Sequence, residues 1–189
     1  FSDLLRSQSA DSLMRIHDIA EQTDIEGLAT VSAGIYHVLD ALVEERAGVR
    51  ETMEIMTRLN DRITRKVIEL SEARMETDGL GSPPVDYCWI NMGSAARYEQ
   101  TLRTDQDNAI IFEDVPESEQ ETVMAYFLAF GEKICGLLDE AGYAFCTGDN
   151  MAKNPQWCQP LARWKKYFTE WIHTAEPEAL LQASIFFDF

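Results

Sequence analysis

The sequence predicts an α+β chain with its helices first: a helical segment over residues 1–78, then a region over 79–189 in which strands and helices alternate. Three observations carry this reading. Apolar residues recur at three- and four-residue steps as far as Met75, the stretch 76–86 concentrates glycine and proline, and short strand-like apolar runs follow only after it.

The first helical stretch places Leu13, Ile16, Ile19 and Ala20 on one face, and the second places Leu28, Val31, Ile35, Val38, Leu39 and Leu42 there. A third, longer stretch continues with Val49, Met53, Met56, Leu59, Ile63, Val67 and Leu70. Such stripes leave water by packing on one another, on the rest of the chain or on a second copy, so a homodimer through these helices is one expectation. "ETDGLGSPPVD" at 76–86 then breaks the long helix and marks the expected boundary at 78/79.

Beyond it "YCWINM" reads as a buried strand and "NAIIFED" as another. Ser118 and Glu121 have the spacing of a capping box, followed by Val123, Phe127, Phe130, Ile134, Leu137 and Ala141 on one helical face until Gly142 stops the helix. "YAFCTGDNMAKNPQWCQP" reads as irregular. Leu161, Trp164, Phe168, Trp171 and Ile172 outline a further amphipathic helix, Pro177 suits the first turn of another, and "SIFFDF" ends as a strand.

Composition narrows the function classes. Hydrophobic residues make up 46% of the 189, enough to build a core. Sixteen Lys and Arg against thirty-three Asp and Glu leave a charge of -17, which repels a long nucleic acid. A single nucleotide stays open, because a bound divalent cation inverts the electrostatics of an acidic site. Cys88, Cys135, Cys146 and Cys158 show no C-x-x-C spacing and the three histidines are scattered, so neither a zinc site nor a disulfide framework is expected. No apolar run is long enough for a bilayer, and the start has no signal-peptide pattern; the expectation is a cytoplasmic protein without a membrane partner. Phe1 at the start and the apolar end lead to the further expectation that both ends continue in a longer protein.

The chemistry concentrates in "MGSAARYEQTLRTDQDNAIIF", residues 92–112. Asp105 and Asp107 lie two apart, so an extended backbone turns both carboxylates to one face, with Cα atoms roughly 7 Å apart. Carboxylates so placed repel unless a cation lies between them, and Mg²⁺ is the hard ion that combines one or two carboxylates with substrate phosphates. Gly93 and Ser94 end the first strand and begin a helix, where backbone approaches a ligand closely and free N–H groups suit a phosphate. Arg97, one turn on, adds a cation, and Gln100 and Arg103 are further candidates for phosphate contact. Each feature has a plainer reading as well: D-x-D occurs in solvated loops, G-S in ordinary turns, and Gln100 and Arg103 at exposed helix ends.

In the order strand, Gly-Ser, helix, D-x-D, strand, these residues resemble the signature of the DNA polymerase β-like nucleotidyltransferase superfamily. With "CTGDNMAKNPQW" and "IFFDF", the stretch from about residue 85 to 189 is similar to bacterial nucleotidyltransferases that often follow cyclic-nucleotide-binding or CBS modules and are related to the uridylyltransferases of PII proteins. The resemblance implies a small mixed sheet flanked by helices, a nucleoside triphosphate donor with Mg²⁺ or Mn²⁺, Gly93 and Ser94 as the phosphate turn, and Asp105 and Asp107 as the metal pair. It further implies a third carboxylate on a neighbouring strand. Asp188 in "FFDF" fits, with Asp149 as the competing candidate. Asn150, Lys153 and Asn154 are possible nucleotide or acceptor contacts, or plain loop residues. Trp157, Trp164, Phe168 and Trp171 suit either base stacking or, at their helical spacing, core packing.

The expected activity is transfer of a nucleoside monophosphate to a protein or small-molecule acceptor in signalling, with an upstream sensor and a downstream helical substrate-binding segment in the full-length protein. The alternative is a regulatory module that binds nucleotide without catalysis.

Overall fold

The computed structural model describes residues 17–100 and 105–173. After a helical turn at 17–21 come α1 (Ile25–Glu44) and α2 (Val49–Thr77), then β1 (Tyr87–Asn91), a one-turn α3 (Gly93–Ala96), β2 (Asn108–Phe112), α4 (Glu117–Glu140), β3 (Cys158–Pro160) and α5 (Leu161–His173). No helix among the described residues is long and apolar enough to cross a membrane.

The helices start and stop for local reasons. Asp24 caps α1 by accepting the Gly27 N–H at 2.8 Å. At the C-termini of α1, α2 and α4 the chain turns left-handed at Arg46, Gly79 and Gly142. In each the next N–H reaches back to a carbonyl one turn inside, as with Tyr143 to Leu138 at 2.9 Å, and this closes the helix. The Ser118–Glu121 capping box does not form. Pro116 is the cap residue of α4, its fixed φ and extended ψ start the helix one residue before Ser118, and Glu117 and Glu119 in the first turn complement the helix dipole instead.

The sheet is small and mixed, in the order β1-β2-β3, antiparallel between β1 and β2 and parallel between β2 and β3. β3 lies in the stretch read as irregular; three residues are too few to show a period, and pairing with β2 is what holds them extended. Side chains alternate along β2. Ile110 and Phe112 enter the larger core, where Phe112 stacks on Phe127 of α4 at 4.7 Å, while Ala109 and Ile111 face a second cluster of Trp157, Trp164, Tyr167 and Trp171 under α5.

The larger core is continuous from Leu28 and Ile35 of α1 through Met56, Ile63 and Val67 of α2 to Phe127, Phe130 and Ile134 of α4. Val49, expected on the apolar stripe of α2, is 74% exposed. The buried face is rotated from it and carries Thr52, Thr57, Asn60, Thr64 and Ser71, small polar residues whose size lets neighbouring elements approach. On α5 the buried positions are Trp164, Tyr167 and Trp171, with Ile172 at 66% exposure. The tryptophans pack a core and offer no stacking face to a base. Leu13, Ile16, Arg103, the Pro177 helix and the "SIFFDF" strand with Asp188 lie outside the described residues.

Candidate functional site

α2 runs antiparallel to β1 and touches it at both ends of the strand: Tyr87 Oη donates to Glu72 at 2.6 Å, and the Asn91 amide donates to the Asp61 carboxylate. Eleven helical residues span about 16 Å and four strand residues about 14 Å, so the two contacts are in register. Where β1 ends, the chain turns through Met92 and Gly93 into α3, and the Met92 N–H donates to Asp107 O at 2.9 Å. The phosphate-turn candidate and the D-x-D segment are thus tied by backbone.

Gly93 has φ +59, and a Cβ there would stand 2.8 Å from Asp107 Oδ2. Glycine is therefore required twice, for the left-handed backbone and for the approach of the carboxylate. α3 is a single turn, ended by Tyr98 with φ +56. So short a helix adds little dipole, and the local N–H groups and Ser94 are the donors available to a phosphate.

In "DQDN" the strand alternation continues into the site. Asp105 and Asp107 face one side and, together with Cys146, bring ligand atoms within 4.8 Å of one another. Gln106 and Asn108 face the other side and are buried. Gln106 Nε2 donates to Cys135 O at 2.9 Å and Tyr143 O at 2.8 Å, and Asn108 Oδ1 accepts the Ala152 N–H at 2.8 Å. These amides hold the segment against α4 and the 144–154 loop, so the carboxylates need no packing of their own. The loop approaches because residue 131 is glycine: a Cβ there would lie 2.5 Å from Ala152 O.

Burial lifts the Asp107 carboxyl above its ordinary value of 3.8. A hydrogen bond from Cys146 opposes the shift, Asp105 adds to it by repulsion, and Arg97 opposes it. Cys146 is raised too, chiefly by burial, so it acts as a thiol donating to Asp107. Two hard carboxylate oxygens beside a glycine-opened corner fit a divalent cation of the Mg²⁺ class; the protonated thiol braces one of them.

The predicted residues divide. Gly93, Ser94, Asp105 and Asp107 come together, with Ser94 and both aspartates lining one cleft. Arg97 is exposed and paired with Glu99 at 2.8 Å, near enough to act on Asp107 through its field. Gln100 is buried and lines the same cleft, and its Oε1 accepts from Asn60 Nδ2 at 3.3 Å, which links the segment after α3 to α2. The Asp149 carboxylate accepts from Asn154 Nδ2 at 3.0 Å within its own loop and is not in the Asp105–Asp107 group. Lys153 lies over the Phe145 ring at 3.8 Å.

Sequence reasoning missed Asn60, Asp61 and Thr64 of α2, which line the cleft, and the Cys146 thiol. The signal for Asn60 and Thr64 was present as polar residues interleaved with the apolar stripe of α2.

The family model described as "Putative nucleotidyltransferase DUF294" matches residues 33–178, most of the chain and most of α1 with it. No curated protein and no solved structure matches.

Proposed function

The chain belongs to that nucleotidyltransferase family, and from this premise we propose that it transfers a nucleoside monophosphate from a nucleoside triphosphate to a hydroxyl of a protein or small-molecule acceptor, with Mg²⁺ or Mn²⁺. The observation that carries the proposal is the convergence of Asp105 and Asp107 on the Gly93 corner of one cleft.

In this reading Asp105 and Asp107 hold the ion, and Gly93 and Ser94 bind phosphate oxygens through backbone N–H and hydroxyl. The ion, when bound, offsets the triphosphate charge and polarises its phosphoryl oxygens. The acceptor oxygen bonds to the α-phosphorus, the bond from that phosphorus to the bridging oxygen breaks, pyrophosphate leaves and the hydroxyl proton passes to solvent. Residues 79–189 carry this chemistry and the helices before them form one wall of its cleft, with Asp188 and Arg103 assigned here as a third carboxylate and a phosphate contact. A surface of charge -17 selects against polynucleotide acceptors and suits a cytoplasmic signalling role beside an upstream sensor.

The test is calorimetric titration of the four nucleoside triphosphates with Mg²⁺, followed by turnover of a labelled one. Asp105→Asn is expected to lower turnover by at least about a hundredfold, the scale of losing one charge-stabilising group. Turnover unchanged in that variant, or no triphosphate bound by the wild type, overturns the proposal. Binding without turnover over a range of acceptors identifies a regulatory module instead.

A further inference from the structure

We infer that Asp61, on the helical segment, recognises the ribose hydroxyls of the bound nucleotide and makes the cleft selective for ribonucleotides. This rests on the nucleotide reading above and adds to it which part of the donor meets α2.

Asp61 lines the same cleft as Ser94, Asp105 and Asp107 but reaches it from α2. Its position is set from both sides. On β1, Trp89 Nε1 donates to Asn91 Oδ1 at 2.9 Å, which leaves the Asn91 amide nitrogen facing the Asp61 carboxylate. On α2, the preceding Asn60 accepts from Tyr143 Oη at 2.7 Å and donates to Gln100, so the helix turn carrying Asp61 is bonded to the segments that follow α4 and α3. One donor leaves a carboxylate with further acceptor capacity, and the half-buried Asp61 carboxyl is raised by burial, with the Arg65 charge and the Asn91 bond opposing.

A carboxylate of this kind repels the triphosphate and takes hydrogen-bond donors. If the phosphates occupy the Gly93–Ser94 corner, the nucleoside half lies over the mouth of the cleft, which is too small to enclose it, and its donors nearest the phosphates are the 2′ and 3′ hydroxyls. Thr64, one turn along the same helix face, adds a hydroxyl to this wall. Hydrogen bonds from a neutral donor to a charged acceptor discriminate well against an analogue that lacks the donor.

The experiment measures, on the full chain with Mg²⁺, dissociation constants for the best-bound ribonucleoside triphosphate, its 2′-deoxy and 2′,3′-dideoxy forms, and inorganic tripolyphosphate. Wild type is expected to bind the ribonucleotide roughly tenfold more tightly than the dideoxy form. Asp61→Asn and Asp61→Ala are expected to remove that preference, while tripolyphosphate, which has no ribose and is repelled by the carboxylate, binds the variants at least as tightly as the wild type. Equal affinity of the wild type for the ribo and dideoxy forms overturns the inference without need of a variant. So does a preference that survives in Asp61→Ala, or a variant effect confined to the acceptor's KM. Failure of every triphosphate to bind the wild type removes the nucleotide reading itself, a result distinct from loss of ribose selectivity alone.

Discussion

β2 and the four residues that lead into it obey one backbone rule and serve opposite ends. From 109 to 112 the alternation sends Ile110 and Phe112 into the larger core and Ala109 and Ile111 toward the tryptophan cluster, so both faces gain from leaving water. From 105 to 108 the same alternation sends Gln106 and Asn108 into hydrogen bonds with α4 and its following loop, and turns two like charges to one face of a cleft. The sheet supplies rigidity at one end and spends some of it at the other, where the half-buried Asp107 carboxylate is held at a cost to the fold.

The largest expected effect lies at the packed end. Trp164 is 1% exposed, touches the rings of Trp157 and Tyr167 and donates from Nε1 to Ile110 O at 3.2 Å. Trp164→Ala is expected to cost about 3–5 kcal/mol in denaturant unfolding. The nucleotide affinity of the molecules that remain folded should stay as in wild type; a matching loss of affinity would break the division between the two ends.

Next comes the joint between them. Gly131→Ala improves helix propensity yet must push backbone at Ala152, so we expect a net loss of about 1–3 kcal/mol in the same measurement. A gain in stability would show that the loop bearing Cys146 is not held by this contact. Gly93→Ala sharpens the comparison at the site itself. A left-handed non-glycine residue costs about 1–2 kcal/mol, and its Cβ displaces Asp107, so Mg²⁺-dependent nucleotide binding measured by calorimetry should fall much further than the melting temperature.

The smallest effect has the opposite sign. Because the fold raises the Asp107 pKa, the native state binds a proton more readily than the unfolded chain, and ionisation of this group weakens the fold as pH rises from 3.8 through its native value. Asp107→Asn should therefore melt above wild type at pH 7 without divalent ions. The gap should close as pH falls through the carboxylate range, and Mg²⁺ should raise the wild type alone. A lower melting temperature for the variant at pH 7 would mean that Asp107 is stabilising and that the two ends of the strand do not differ in this way.

Much of this was readable along the chain. The apolar period located α1, α2 and α4, Gly142 marked the end of α4, and the i, i+2 spacing placed Asp105 and Asp107 on one face. The errors came where local pattern is silent. Val49 stands at a helix start and is 74% exposed, β3 is too short to show alternation, and no local pattern tied Gln100, read as a phosphate contact or an exposed helix end, to Asn60 forty positions earlier.

The sequence by itself determined the elements and the carboxylate pair, because periodicity, capping and pleat act between residues a few positions apart. Only the tertiary structure decided that a polar patch of α2 becomes a wall of the cleft, that Gln106 anchors the pair it separates, and that Cys146 braces Asp107. Those contacts join residues about 30 to 50 positions apart, and their energies depend on burial and on the position of a partner that no local pattern encodes.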